Sequence, residues 1–203
     1  MRIQDAIALV VLCLQLWIPL FWLLVHPAIG FWRRHPRACY YGLLPLIVLA
    51  TGVSLWLPSQ WWLAGRFTQH WLATLGGLAL MATDIWLMRR VERALGWRVL
   101  VGLPELMPAS HSVDVKAGGI YERVRHPRYL GMMLAWLGAA LLTGATRLLA
   151  LVAVFLGLAW LVMELEEREL LKRLGEPYAD YRRRVPRLVP RWPARRSLGE
   201  GGR

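Results

Sequence analysis

Apolar stretches long enough to cross lipid constrain this chain more than any other feature. Residues 6–25, 39–57 and 68–88 each approach the ~20 apolar residues that span a hydrocarbon core, with Pro19 as a tolerated kink and Asp84 near the end of the third, where a lone acid reads as interfacial rather than as a buried functional group. The opening "MRIQD" is followed by no small-residue cleavage site, so the first stretch reads as a retained span rather than a signal peptide. Residues 91–128 are too polar to span. Two shorter apolar segments come next, 129–144 and 147–163, joined by "TGATR" at 143–147, the pattern of a helical hairpin. Residues 164–184 are charged and helix-like, and the last twenty are rich in Pro and Arg. The fold class is therefore all-α and integral to the membrane, with about five transmembrane helices. Two regions are expected: a three-span part over 1–90, and a module over 91–203 made of connector, hairpin, charged helix and tail.

Charge sets the expected orientation. The chain is 57% apolar and 19% charged, yet carries a formal charge of +12. Loops facing the cytoplasm carry the Lys and Arg excess of a membrane protein. With the N-terminus outside and the C-terminus cytoplasmic, Arg2, Arg66 and Arg147 lie outside. The other basic residues, in 33–37, 89–128 and the tail beyond 163, lie inside. A nucleic-acid binder would instead carry its Arg on a soluble fold. All but two of the 25 basic residues are Arg, and Asn is absent. That usage fits a GC-rich bacterial genome and hence a bacterial inner membrane.

Metal chemistry has no foothold. The five His, at 26, 35, 70, 111 and 126, pair with neither Cys nor acids at ligand spacing. Cys13 and Cys39 read as small buried apolar residues.

Arg-His-Pro-Arg occurs twice, in "RRHPRACYYG" at 33–42 and "RVRHPRYLGM" at 123–132. The residue before Pro is pushed to extended geometry, and Pro suits a first helical turn. A helix start at a basic membrane edge therefore accounts for both copies. Only the second has further chemistry around it: "HSVDVKAGGIYERVRHPRYLGMML" before the hairpin and "ELEERELLKRLGEPYADYRRRVPRLVP" after it. Gly119 and Tyr121 precede Arg125, His126, Pro127, Tyr129 and Gly131. Then come Glu166, Glu167 and Leu170; Gly175, Tyr178 and Tyr181; and Val185, Pro186 and Arg187. In this order they resemble the isoprenylcysteine carboxyl methyltransferase family and its prokaryotic integral-membrane relatives, which include phospholipid methyltransferases. The resemblance covers roughly residues 100–190.

The resemblance implies transfer of a methyl group from S-adenosylmethionine to a lipophilic acceptor, a small molecule or membrane lipid, at the cytoplasmic face. It implies cofactor contacts from Tyr121, Arg125, His126, Tyr129, Gly131, Glu166, Glu167, Tyr178 and Tyr181, and places Arg187 by the reacting group. Bland roles stand beside these. Tyr121 and Tyr129 could stack on adenine, bind a carboxylate, or belong to an interfacial aromatic belt. Gly131 could admit a ligand or let helices approach. Neighbouring Glu166 and Glu167 lie ~100° apart on a helix, so only one can face a ligand. Glu164 shares a face with Glu167. His111 is a weaker candidate in the approach segment. Two other functions compete: an NADPH-dependent membrane reductase of the sterol-reductase type, and a non-catalytic basic protein that binds lipid.

Overall fold

The structure is a computed structural model that describes residues 1–68, 70–96, 99, 102–107 and 118–190; His111 lies outside the described residues. The described residues form helices and no strand beyond one isolated bridge. Four helices are long and apolar enough to cross a membrane: Ile3–Arg34, Pro36–Trp56, Trp71–Leu95 and Thr146–Leu174. The hairpin's first arm, Pro127–Thr143, has 17 residues. At 1.5 Å per residue it reaches about 25 Å, short of a ~30 Å core.

Sequence sets the irregularities. Pro19 cannot donate to the carbonyl four residues back, and the first span breaks at Leu16 between Ile3–Gln15 and Trp17–Val25. Pro27 sits in a tight turn over His26–Ala28. The hairpin's second arm exceeds its expected bound: the apolar run and the charged segment behind it are one helix, Thr146–Leu174. Nothing in "MELEEREL" breaks a helix, so the acids simply ride out on the same rod. Gly175, at φ +63°, ends it, and Glu176–Arg184 folds back as a short C-terminal helix.

Trp71–Leu95 packs against Pro127–Thr143 along a seam with seven-residue spacing. Gly77 meets Gly138, and Asp84 meets Gly131. A Cβ added to Gly77 would fall 2.7 Å from the Gly138 carbonyl oxygen, and one on Gly131 would fall 2.5 Å from Asp84 Oδ1. Small residues let the backbones close to this distance, the usual device where lipid provides no hydrophobic drive. Asp84 is buried there and accepts a hydrogen bond from Gln15 Nε2 at 2.8 Å.

One apolar core joins Leu9, Leu12 and Trp22 of the first span to Trp136 and Met163 of the hairpin. Large apolar side chains also point outward, among them Leu46, Leu49, Trp71, Leu75, Ile85, Val154 and Leu161. Such a coat is unstable in water and natural in lipid. At the end that holds the hairpin turn, Arg66 bonds both oxygens of buried Asp5 at 3.0 and 2.9 Å and donates to the Thr143 carbonyl at 2.9 Å. Arg2 and Arg147 lie at this same end, on the Thr143 and Trp61 carbonyls. Arg33, Arg125, Arg173, Arg182 and Arg187 gather at the opposite, basic end, where the site lies.

Candidate active site

Both Arg-His-Pro-Arg copies adopt the same backbone. His35 has φ −126° and ψ 51°, His126 φ −121° and ψ 59°, and a helix starts at the Pro after each. Local sequence therefore dictates the turn, and surroundings dictate the rest. His35 is exposed and leans on Phe31, with ring centroids 4.8 Å apart. His126 is buried in a cluster of charges.

Glu167 is the centre of that cluster, fully buried. Its Oε1 accepts from Arg125 Nε at 3.0 Å and Nη2 at 2.9 Å, and from Arg187 Nε at 3.1 Å. His126 Nε2 lies 2.9 Å from the same oxygen. Oε2 accepts from Arg187 Nη2 at 2.8 Å and lies 3.3 Å from Arg182 Nε. A buried carboxylate is tolerated only when so compensated. Since a carboxylate only accepts, His126 donates to it through Nε2, and its Nδ1 is turned towards Glu166, 3.9 Å from Oε2.

The cluster also anchors the chain's C-terminal portion. Arg125 N–H donates to the Pro186 carbonyl at 2.9 Å and His126 N–H to that of Arg187 at 3.1 Å. Arg125 Nη1 donates to the carbonyls of Arg182, at 2.9 Å, and Val185. Tyr181 O–H donates to the Tyr121 carbonyl at 2.8 Å. Arg187 binds Glu167, binds Glu164 at 2.7 Å, and stacks 4.8 Å over the exposed Trp160 ring. Burial disfavours its charge, but the hydrogen bonds to Glu167 and Glu164 outweigh this and raise its pKa.

Beside the cluster lies an open cleft of about 140 Å³. Of the residues expected from the sequence, Tyr121, Arg125, His126, Tyr129, Glu166, Tyr178 and Tyr181 line it. Glu167 and Arg187 stand behind its wall, and Gly131 lies in the helix seam against Asp84. Glu166 and Glu167 thus point to different environments.

The wall has further residues. Trp22 and His26 come from the first span, and Glu105, Arg128, Arg173 and Leu174 add to the rim. Glu105 lies 3.9 Å from Arg173, while its Oε2 is buried without a hydrogen-bond partner among the described residues. Burial, then the nearby Glu166 charge, pushes its carboxyl up to about 7, against the pull of Arg173. Burial also raises Tyr121 and Tyr178, and lifts Tyr181 to about 12, keeping all three as neutral donors. Arg33 ties the first span to this floor, donating to the Glu105 carbonyl at 2.8 Å and pairing with Glu169. An acidic wall, a guanidinium wall and tyrosine faces suit a zwitterionic ligand with an aromatic base.

Proteins similar in sequence are methyltransferases. The phospholipid methyltransferase family model matches residues 72–176, just over half the chain. Methanethiol S-methyltransferase 2 of Bradyrhizobium diazoefficiens is 30% identical over 98% of this chain and 79% of its own length. Methanethiol S-methyltransferases of Mycobacterium tuberculosis and Pseudomonas deceptionensis are 40% and 29% identical, over 42% and 74% of this chain and 34% and 58% of theirs. No solved structure matches. By sequence, the chain belongs to the phospholipid methyltransferase family of membrane methyltransferases.

Proposed function

We propose that this protein is an S-adenosylmethionine-dependent methyltransferase whose acceptor is a small apolar thiol, working at the cytoplasmic face of a bacterial inner membrane. The observation that carries the cofactor is the cleft's composition. Half-buried Glu105, with a buried oxygen lacking a partner among the described residues, and Glu166 beside it fit an ammonium and ribose hydroxyls. Arg128 and Arg173 fit a carboxylate, and Tyr121, Tyr129 and Tyr178 offer faces for adenine. When bound, the cofactor supplies an electrophilic methyl on a sulfonium.

The protein's own contribution is orientation and exclusion of water. Arg125 and Glu167 lock the His-Pro turn, which fixes Tyr129 and His126 on the cleft wall. The C-terminal helix roofs it with Tyr178 and Tyr181. The outward apolar coat lets an oily acceptor reach this end through lipid, and the arginine-rich end is the one expected to face the cytoplasm. The relatives named for methanethiol favour a thiol among the acceptors open to such a cleft.

Calorimetry in detergent tests the cofactor. S-adenosylmethionine and S-adenosylhomocysteine should bind, and NADPH should not. NADPH binding alone would favour a reductase, and binding of neither a lipid-binding protein. A tritiated-methyl assay then offers methanethiol and extracted membrane lipids in parallel. Label in the volatile thioether is expected; label confined to lipid would overturn the thiol reading.

A further inference from the structure

His26 belongs to none of the sequence motifs and lies outside residues 72–176, which the family model matches. It nevertheless lines the cleft, delivered by the first span. The side chain is 8% exposed, and its Nδ1 is buried without a hydrogen-bond partner among the described residues. Leaving a buried ring nitrogen unbonded is costly, so a site that retains one has a use for it. Trp22, one turn earlier, lines the cleft too and stacks on the imidazole, with centroids 5.1 Å apart and planes 28° apart. Gly102, at φ +78°, lies against the same indole, where any Cβ would collide with the ring. The pair is thus an aromatic plate whose imidazole keeps one ring nitrogen without a partner among the described residues.

We infer that Trp22 and His26 form the acceptor subsite, with His26 Nδ1 as the general base that takes the proton from the thiol. The inference rests on the thiol-methyltransferase reading of the cleft. A thiol is mostly protonated at neutral pH, and the thiolate is the nucleophile. In the step, the S–H bond breaks and its proton moves to Nδ1. The sulfur's electron pair forms the new bond to the methyl carbon, and the bond from that carbon to the sulfonium breaks, leaving a neutral thioether on the cofactor. The imidazolium then returns its proton to water at the cleft mouth. Neutral His26 with its proton on Nε2 presents the required lone pair. The other cleft histidine, His126, is bound to Glu167. Trp22 offers its indole face to the alkyl group.

The experiment uses detergent-solubilised full-length protein with saturating S-adenosylmethionine at one pH. It compares an alkyl thiol with an aryl thiol already ionised at that pH. His26→Asn should lose about 100-fold in kcat on the alkyl thiol and less than about threefold on the aryl thiol. S-adenosylhomocysteine binding by calorimetry should stay within about twofold, which reports an intact fold. His26→Gln serves as a second variant with the same expectation. Equal losses on both thiols with binding retained, or no loss on either, would overturn the role of His26 while leaving the thiol reading in place. Wild-type protein that methylates neither thiol would overturn both.

Discussion

Glu166 and Glu167 are adjacent in the chain and serve different masters: Glu166 faces the open cleft, while Glu167 is sealed among Arg125, His126 and Arg187. Their substitutions should separate cleanly. Glu167→Ala strands buried guanidiniums without a counter-charge and should cost about 3–5 kcal/mol of stability. Glu166→Gln should change stability by no more than about 0.5 kcal/mol and weaken cofactor binding about tenfold. Thermal melts and calorimetry on the two variants check the division.

The first Arg-His-Pro-Arg copy yields a contrast within one dipeptide. Arg34 is exposed, whereas Arg33 reaches Glu105 and Glu169. Arg34→Ala should leave activity and melting unchanged. Arg33→Ala should cost about 1–2 kcal/mol, after allowance for its partial exposure, and reduce methyl transfer by loosening the cleft floor. Equal effects in both variants would count against this division.

Glu105 should make cofactor binding depend on pH. Its carboxyl, pushed up to about 7, is mostly protonated at pH 6 and mostly ionised at pH 8. The ionised form attracts the cofactor's positive charges, so affinity should rise about tenfold between pH 6 and 8. Stability runs the other way. The folded pKa exceeds the unfolded one, so this group's contribution is fully present below about 4.5 and is lost as pH rises through about 7. Calorimetry and melting across that range, on wild type and Glu105→Gln, read both slopes. The variant should flatten them.

The glycine seam should tolerate little. Gly138→Leu places a side chain against the Gly77 carbonyl and Met81, and Gly131→Val drives one into Asp84. Each should cost about 1–3 kcal/mol by overpacking, read as a lower melting temperature in detergent. Gly157, with open space where its Cβ would be, should accept Ala without loss.

Length and hydropathy made the helical architecture legible, and the turn at Gly144 divided the hairpin as expected. The end of the second arm was not legible. A charged amphipathic run and an apolar one share helical propensity, and only Gly175 parts them from the C-terminal helix. Asp84 read as interfacial, yet it is buried, because Gln15 on a distant helix supplies its donor. The same holds in the site. The motif residues that line the cleft were visible as a pattern, but Glu105, Trp22 and His26 stand singly in segments without one. Their placement depends on helix packing between distant parts of the chain. Arg187 was visible by its "VPR" context, while its turn towards Glu164, Glu167 and Trp160 depends on where the C-terminal helix folds back.

Arg125 waits for partners made late. The carbonyls that hold it belong to residues about sixty positions downstream, and at ribosomal speeds of 5–20 residues per second that gap lasts about 3–12 s. A nascent chain can therefore have every apolar helix inserted while its binding site still lacks a lid. The cleft gains this wall only when synthesis passes Arg187, and a message cut short after Leu174 should leave in the membrane a well-anchored protein without methyl-transfer activity.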